Sequence, residues 1–299
     1  MIEHPNIYEE FGNLVKQIPS GSVSSYGDVA VQLGDAAASR AVAEMVNELT
    51  DADAIPVHRV VPADGSLGGH NSTQGIRRKT RKLMQEGVRI SQGRIENFEK
   101  IRFTEFKSRF PLLQFREAAK RISLAGKMDY GDSIRAMDIS YSGRTGIGVA
   151  VDFYDDSRFE IVVKNVKAPY IPNYLYLREG EIYESLVRKG MLNVIDGNGI
   201  IHRDGRGVAT LVGASRQVAT VGIAKSLLIG EERNGYIFYR GRKIGKKLDK
   251  FFVSKGFGVE IEECLRLLIR EGHFPQTKWA DKLSRRYRDE ILLAKYSVR

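Results

Sequence analysis

Hydrophobic positions between residues 25 and 49 recur with a helical period and predict two short helices in tandem. The first helix follows Ser25, where Asp28 completes a capping-box pattern, and Gly34 supplies a stop. The second follows Ser39, and its apolar residues fall on one stripe: Val42, Met45, Val46 and Leu49. Two such helices with a short connection predict a helix-turn-helix in a mostly helical, winged-helix-like domain.

The pattern becomes strand-like further along the chain. The stretch "SIRAMDISYSGRTGIGVAVDFY" predicts a strand, a glycine-containing turn and a returning strand. The apolar run "MLNVIDGNG" predicts a strand that ends at Asp196 and Gly197. If "YLYLREGEIYESL" is helical, Glu179 shares a core-facing stripe with Leu175, Ile182 and Leu186.

The length of the chain, 299 residues, favours two domains, each long enough to bury a core. The weakest stretch for a core runs from about residue 88 to 115, with scattered charge and no sustained period. We place the boundary within it, so that the predicted domains span residues 1–103 and 104–299.

Composition excludes several classes of protein. The single cysteine, Cys264, excludes a disulfide framework and a cysteine-based metal cluster. No apolar run approaches the roughly 18 residues that a membrane span needs, so we expect no membrane partner and a soluble, cytoplasmic protein. The net charge of +10 is uneven, because residues 1–76 are acidic whereas "RRKTRK" follows at once. Such a basic segment is either a site that contacts the phosphates of a nucleic acid or a solvated face of a helix.

Three carboxylates in the second half of the chain stand where a structural role alone does not readily explain them. Asp138 lies mid-strand, where aspartate is unfavourable, and Glu179 would face the core. The plain alternatives are an ordinary Asp-Gly turn at Asp196 and a different helix phase around Glu179, which Gly180 permits. Gathered together, the three carboxylates would repel one another unless a cation joined them. Oxygen ligands of this kind suit Mg²⁺ or Mn²⁺, and the chemistry that follows is phosphodiester hydrolysis.

Three residues of the first half have an equally plain reading. In an extended "PVHRVV", His58 would point inward beside Val60 and need a hydrogen-bond partner, as a satisfied core histidine does. Arg40 stands in the first turn of the second predicted helix, where the helix dipole disfavours a cation, or it is an ordinary surface arginine. Tyr26 is compatible with simple core packing.

The segments "IPSGSVSSYGDVA", "SRAVA", "IPVHRVV" and "KLMQEGV" resemble the DNA-binding domain of O6-alkylguanine-DNA alkyltransferases over residues 1–103. Those enzymes carry a nucleophilic cysteine where Val57 stands here, activated by a histidine that a glutamate orients. The resemblance implies that His58 and Glu86 are remnants of this relay, that no methyl is transferred, and that the domain is alkyltransferase-like. It further implies that Arg40 fills the space of a flipped alkylguanine while Tyr26 pushes on the adjacent phosphate.

The segments "MDISYSG", "PYIPNYLYLREG", "VIDGNGIIHRDGRGVA" and "TVGIAKSLL" are similar to endonuclease V, a nuclease with an RNase H-like α/β fold, a mixed sheet flanked by helices. The resemblance implies a nick on the 3′ side of deaminated bases, chiefly hypoxanthine and also uracil or xanthine. It implies that Asp138, Glu179 and Asp196 bind Mg²⁺, for which Mn²⁺ can substitute, while Lys225 and His202 lie close to the phosphates.

The same resemblance implies contacts with the damaged base. A wedge fills the gap that the extruded base leaves, and Gly197 and Leu228 line the base pocket. The wedge comprises Pro169, Tyr170, Ile171 and Pro172. Two positions depart from the bacterial pattern, which usually has glycine at Asn173 and histidine at Leu211. We expect the first departure to affect which bases fit and the second to affect phosphate contacts.

The sequence thus predicts a lesion-binding module fused to a Mg²⁺-dependent endonuclease that acts on damaged double-stranded or single-stranded DNA. Two alternatives stay open: a ribonuclease specific for inosine in RNA, since 2′-hydroxyl contacts leave no short motif, and a non-catalytic sensor of DNA damage. The sequence does not specify an oligomeric state.

Overall fold

The computed structural model describes residues 4–49, 54–68, 73–152, 155–270 and 275–296. These residues divide into two compact units, one made of residues 4–117 with Lys167–Pro172 and the other of residues 118–166 and 173–296. The first unit is small and mainly helical, and the second is built on a nine-stranded mixed sheet with flanking helices. The predicted fold class is therefore confirmed. Residues 104–117 group with the first unit, and the boundary near residue 103 stays a prediction.

Short helices and two small strand pairs make up the first unit. The helices are α1 (Ile7–Val15), α2 (Tyr26–Leu33), α3 (Ser39–Glu48), α4 (Thr73–Gln85), α5 (Phe98–Ile101) and α6 (Pro111–Lys120), of which α6 belongs to this unit up to Glu117. The strand pairs are β1 (Ser24–Ser25) with β2 (Val60–Val61), and β3 (Ile90–Ser91) with β4 (Arg94–Ile95).

The predicted helix-turn-helix is formed by α2 and α3. The Ser25 hydroxyl accepts from the Asp28 backbone N–H at 3.0 Å, and the Asp28 carboxylate accepts from the Ser25 backbone N–H at 3.0 Å. This capping box begins α2, and Gly34, with φ of 107°, ends it in the left-handed conformation that glycine adopts without strain. The α3 stripe buries Val42, Met45 and Val46 in the core of the unit.

The expectation of an extended "PVHRVV" is wrong. Residues Val57–Arg59 form a single turn of 3-10 helix, and only Val60–Val61 are a strand. Pro56, with φ of −77° and ψ of 57°, turns the chain away from the extended path, and its carbonyl accepts from the Arg59 N–H at 3.0 Å. The side chain of His58 is therefore not placed by strand alternation with Val60.

The second unit has a single sheet of mixed direction. Its strands are β5 (Tyr130–Ser142), β6 (Thr145–Asp152), β7 (Asp155–Asn165), β8 (Gly190–Asp196), β9 (Thr220–Ala224), β10 (Glu231–Arg233), β11 (Tyr236–Tyr239), β12 (Arg242–Leu248) and β13 (Phe251–Phe257). Their order across the sheet is β10-β11-β12-β13-β9-β8-β5-β6-β7. The central strands β5, β8 and β9 are parallel, and all other neighbours are antiparallel.

Four helices cover the sheet: α7 (Leu175–Leu186), α8 (Val208–Arg216), α9 (Ile261–Arg270) and α10 (Pro275–Tyr296). Glycines in β6 allow close approach of α7 on one face, since a Cβ at Gly148 would lie 2.3 Å from Ile182. On the opposite face α9 packs on Val221 and Val253, and α10 packs on Val149. No helix among the described residues is long and apolar enough to cross a bilayer.

This topology fixes where polar side chains can gather. Because β5, β8 and β9 are parallel, β8 and β9 present their carboxyl ends at one edge of the sheet, where they end at Asp196 and Ala224. Met137 of β5 pairs with Ile195 of β8, so the next residues, Asp138 and Asp196, share one face of the sheet at this edge. Open α/β sheets bind their ligands at such an edge.

Candidate functional site

Carboxylates from three elements come together at this edge. Asp138 lies on β5, Asp196 ends β8, and Glu179 projects from α7, as the three sequence patterns predicted. The carboxyls of Asp138 and Asp196 are within hydrogen-bonding reach of each other, and the charges of both act on Glu179. Asp138 and Glu179 are almost fully buried, with 7% and 8% of their surface exposed.

Burial and mutual repulsion shift the acidity of these groups. Burial, followed by the neighbouring charge of Asp196, raises the pKa of Asp138 to about 7. Burial raises the pKa of Glu179 to about 8, and the charges of Asp138 and Asp196 add to the shift against a hydrogen bond from Tyr141. Carboxylates that are buried close to one another favour a bound cation or a shared proton, because either one reduces their repulsion.

A lysine and a fourth carboxylate complete this cluster. Lys225, the residue after β9, places its Nζ 3.1 Å from Asp196 Oδ2. Although burial opposes the charged form, Asp196 and Asp138 raise the pKa of Lys225, so its side chain is an ammonium. Asp281 on α10 acts electrostatically on both Asp138 and Lys225, which makes it a fourth carboxylate of the cluster.

The side chains that hold the carboxylates in place were missed by the sequence patterns. The Ser284 hydroxyl of α10 donates to Asp138 Oδ2 at 2.9 Å, and the Tyr141 hydroxyl donates to Glu179 Oε1 at 2.6 Å. The helical i, i+3 spacing of Asp281 and Ser284 was a signal that they share a face. Tyr141 gave no local signal, because its partner is 38 residues away in the chain.

His202 has a backbone-anchoring geometry. Its Nε2 lies 3.0 Å from the Asn173 carbonyl, to which it donates, and its Nδ1 accepts from the N–H groups of Asp204 and Arg206, each at 3.3 Å. Both ring nitrogens are thus engaged by main chain. The ring fixes the 202–206 loop, and the predicted closeness to a phosphate stays a prediction.

The two departures from the bacterial pattern have structural explanations. Asn173 has φ of 67°, a left-handed conformation that glycine and asparagine tolerate best, so the backbone explains both residues at this position. Leu211 lies inside α8 with 1% of its surface exposed. The Leu211 side chain therefore cannot contact a phosphate itself, and the expected effect of this departure on phosphate contacts stays a prediction.

In the predicted wedge Tyr170 is exposed, Pro169 and Ile171 are buried, and Pro172 is half-buried. Tyr170 is 55% exposed, whereas Ile171 is fully buried, so Ile171 anchors the segment and cannot itself meet a nucleic acid. The segment Lys167–Pro172 belongs to the first unit, where the Lys167 carbonyl accepts from the Ile7 N–H at 2.8 Å. Pro169 and Pro172 limit the backbone freedom around Tyr170.

The predicted base-pocket residues lie beyond β8 and β9. Gly197 has φ of 153°, and a Cβ there would lie 2.4 Å from Val208 of α8, so only glycine fits this close approach. Leu228 is 39% exposed. A role of either residue in binding a base stays a prediction.

The donor set at the sheet edge suits a hard divalent cation. All the converging groups are carboxylate oxygens, two of them buried and mutually repelling, which is the arrangement that Mg²⁺ and Mn²⁺ ligands have in proteins. In the described part of the chain, no three His, Cys, Asp or Glu side chains already surround a common point. The residues therefore fit such an ion chemically without forming a closed cage.

In the first unit, Glu86 connects His58 and Arg59. His58 Nε2 donates to Glu86 Oε1 at 2.8 Å, and the Arg59 guanidinium pairs with the same carboxylate at 2.8 Å. Burial lowers the pKa of His58 against the pull of Glu86, so the contact is a hydrogen bond of a neutral imidazole. Val57 is buried beside this pair. The structure thus brings together the three residues of the predicted vestigial site.

Tyr26 and Arg40 lie in the helix-turn-helix, with Tyr26 half-buried at the start of α2 and Arg40 exposed in the first turn of α3.

A feature that the sequence did not suggest is Lys79 of α4, which is 2% exposed. Its Nζ donates to the Val60 carbonyl at 2.7 Å and lies 5.9 Å from the centre of the Tyr26 ring. Burial lowers the pKa of Lys79 to about 7.

We expect Lys79 to make stability depend on pH. Between the folded pKa of about 7 and the unfolded value of 10.5, the unfolded chain binds the extra proton, so the free energy of unfolding rises with pH. The slope has an upper limit of about 1.4 kcal/mol per pH unit. Lys79→Met removes this slope. Denaturation of both proteins at pH 7 and pH 9 measures it, and parallel pH profiles would show that Lys79 titrates normally.

The two units match different known families. The family model "Endonuclease V" matches residues 116–282, and the model "6-O-methylguanine DNA methyltransferase, DNA binding domain" matches residues 6–88. A "Bifunctional methyltransferase/endonuclease" of Picrophilus torridus is 36% identical over 282 residues, covering 91% of this chain and 93% of that protein. A protein of the same name from Thermoplasma volcanium is 39% identical over 267 residues, covering 87% of this chain and 83% of that protein.

Solved structures match the fold of the second unit. Endonuclease V of Ciona intestinalis, in complex with a 24mer DNA containing an inosine followed by a ribo-adenosine, superposes with a TM-score of 0.50 at 20% identity, covering 60% of this chain and 98% of that chain. Endonuclease V of Streptomyces avermitilis has a TM-score of 0.50 at 22% identity, covering 59% of this chain and 91% of that chain.

The chain is thus a DNA-repair nuclease of the endonuclease V type fused to an alkyltransferase-like DNA-binding domain. The mixed sheet with its clustered carboxylates corresponds to the nuclease, and the helix-turn-helix unit corresponds to the DNA-binding domain. The chain belongs to the bifunctional methyltransferase/endonuclease family. Endonuclease V proteins are generally metal-dependent. The fusion that the motifs indicated is confirmed, while the expected loss of methyl transfer stays a prediction.

Proposed function

We propose that the second unit hydrolyses the DNA phosphodiester bond on the 3′ side of a deaminated base, chiefly hypoxanthine, with Mg²⁺ at Asp138, Glu179 and Asp196. The observation that carries the proposal is the gathering of buried carboxylates beside Lys225 at one edge of the sheet. Burying these charges is costly unless a cation compensates them, so the fold tolerates them for a function. Bound there, Mg²⁺ would orient an attacking water and neutralise charge on the phosphate.

Each residue around the carboxylates has a defined part in this proposal. The Lys225 ammonium, whose Nζ lies 3.1 Å from Asp196 Oδ2, would stabilise negative charge that develops on the scissile phosphate. Asp281 supplies a further carboxylate to hold or orient water. Ser284 and Tyr141 are positioning residues, because each donates a hydrogen bond to a carboxylate that would bind the metal.

Recognition of the base rests on residues whose roles are inferred from the family resemblance. The exposed ring of Tyr170 would fill the gap left by the extruded base. Gly197 and Leu228 would line the pocket that receives that base. The fixed Tyr170 segment, with Ile171 buried beneath it, supports the wedge role because a wedge has to resist displacement by the base stack.

The first unit is proposed to bind alkylated guanine by base flipping, with Arg40 in the vacated space, and to transfer no methyl group. Valine at position 57 cannot accept an alkyl group. The chain has one cysteine, Cys264, which is fully buried in the second unit, and burial raises its pKa to about 12. A buried thiol of this acidity provides almost no thiolate at neutral pH and is no substitute acceptor.

The nuclease proposal is tested by mapping the product of the wild-type chain on an end-labelled duplex with one deoxyinosine. We expect a single nick at the second phosphodiester bond 3′ to the lesion in Mg²⁺ or Mn²⁺, and none in EDTA or on the matched undamaged duplex. Preferential cutting of the same sequence with inosine in RNA would instead favour the ribonuclease. Retained binding to the lesion without a nick in either substrate would make the protein a damage sensor.

A further inference from the structure

Lysines at one turn of the sheet lie on the same edge as the carboxylate cluster, several strands away. The turn that joins β12 to β13 carries Lys250, and Lys246 and Lys247 lie just before it at the end of β12. Strand β13 pairs with β9 so that Phe252 lies opposite Ala224, the residue before Lys225. Lys247 in turn lies opposite Phe252. The turn is therefore level with the end of β9 and with the proposed catalytic edge.

Register places one of these lysines on the catalytic face as well. Asp196 pairs with Ile223, Ile223 with Val253, and Val253 with Lys246. Directly paired residues point to the same face of a sheet, so Lys246 shares a face with Asp196 and Asp138. Three strand spacings separate the backbones of Asp196 and Lys246, about 14 Å at about 4.8 Å each.

Aromatic rings and acidic side chains both lie near these lysines, and the charge of Lys246 acts on Glu262 without forming an ion pair. The Lys246 Nζ lies 4.9 Å from the centre of the Tyr236 ring, whose other neighbour, the Lys243 Nζ, is 4.6 Å away. Lys243 is paired with Glu262 at 2.8 Å, and Lys247 with Glu232 at 2.9 Å. Lys246 and Lys250 form no ion pair among the described residues, and Lys250 Nζ lies 5.5 Å from the Phe251 ring. An aromatic ring leaves an ammonium free to bind a further anion.

We propose that Lys246 and Lys250 bind the phosphate backbone of the nucleic acid on one flank of the nicked bond. The inference rests on the proposed nuclease function, which puts a phosphate backbone at this edge. A separation of about 14 Å corresponds to about four base-pair steps of duplex, so a strand that follows the edge of the sheet, beyond the core under α9, would span the distance from the carboxylates to the turn. The turn thus contributes affinity that is independent of sequence and positions the strand without touching the reacting phosphate.

The test compares two double variants of the full chain that remove the same charge from opposite edges of the sheet. The test variant is Lys246→Gln/Lys250→Gln. The control is Lys189→Gln/Arg216→Gln, since Lys189 precedes β8 and Arg216 ends α8, which places both near the amino ends of the parallel strands. Binding to an undamaged duplex is measured by fluorescence anisotropy in EDTA over a range of salt concentrations.

We expect the test variant to lose about 1.8 from the slope of log K against log salt, and about tenfold in affinity at 0.15 M salt, while the control keeps the wild-type slope. On the deoxyinosine duplex the test variant should show a raised KM with an unchanged kcat. Equal salt slopes for the two double variants would overturn the proposal. Absence of nicking by wild type would instead count against the nuclease function, because the salt slopes are measured without metal.

Discussion

Replacing Asp138 with asparagine is expected to lower the rate of Mg²⁺-dependent nicking by about a thousandfold, equivalent to about 4 kcal/mol of transition-state stabilisation. The physical reason is the loss of one negative oxygen from a cluster that we propose holds the metal. Asparagine keeps the size of the side chain and can still accept the hydrogen bond from Ser284, so the fold around it is preserved. Initial rates on the deoxyinosine duplex measure the effect.

The same substitution is expected to stabilise the protein when no divalent metal is present. Asp138 is buried within hydrogen-bonding reach of Asp196, and removing its charge relieves both the burial cost and the repulsion, by about 1–3 kcal/mol at pH 8. Thermal unfolding in EDTA checks this. Asp289→Asn, an exposed change on the same helix as Ser284, should alter neither activity nor stability. A variant with lost activity and lowered metal-free stability would indicate a folding defect instead.

The Val57→Cys variant is expected to take up one methyl group per protein molecule from O6-methylguanine DNA, whereas the wild-type chain is expected to take up none. Valine and cysteine differ little in volume, so the buried position accepts the change. The new thiol would follow Pro56 directly and stand next to His58, whose neutral imidazole is oriented by Glu86 at 2.8 Å. In the reaction His58 would take the thiol proton, the sulfur would bond to the methyl carbon, and the carbon–oxygen bond would break with its electron pair going to guanine, which gains a proton and leaves.

Transfer of a radiolabelled methyl group to the protein measures this prediction. Val57→Ser should take up none, and Val57→Cys/His58→Gln should take up methyl much more slowly than Val57→Cys, because the relay is broken. Uptake by the wild-type chain would contradict the proposal that the first unit only binds, and would direct attention to a different acceptor. A Val57→Cys protein that binds the methylated duplex without uptake would show that the pocket has lost more than its nucleophile.

Local pattern was sufficient to predict those parts of the fold that local interactions determine. The α2–α3 helix-turn-helix followed from a capping box, a stop glycine and one apolar stripe, all of which are contacts within a few residues. Asp138 in a strand, Asp196 at a strand end and Glu179 on the inner face of a helix were likewise readable from periodicity. The turn at Val57–Arg59 was not, because Pro56 overrides the strand pattern there.

By itself the sequence determined which residues are available: three carboxylates in strand and helix contexts, a valine in place of the expected cysteine, and four motifs of each family in order. Only the tertiary structure decided which of them meet. Parallel pairing of β5, β8 and β9 brings Asp138 to Asp196, and α10 adds Ser284 and Asp281 from about 140 residues further along the chain. Tertiary structure also decides that Lys79 lies next to Tyr26. Strand register likewise decides that the turn between β12 and β13 lies level with Ala224. Such contacts depend on strand register and helix packing over long separations, for which a single sequence carries no local signal.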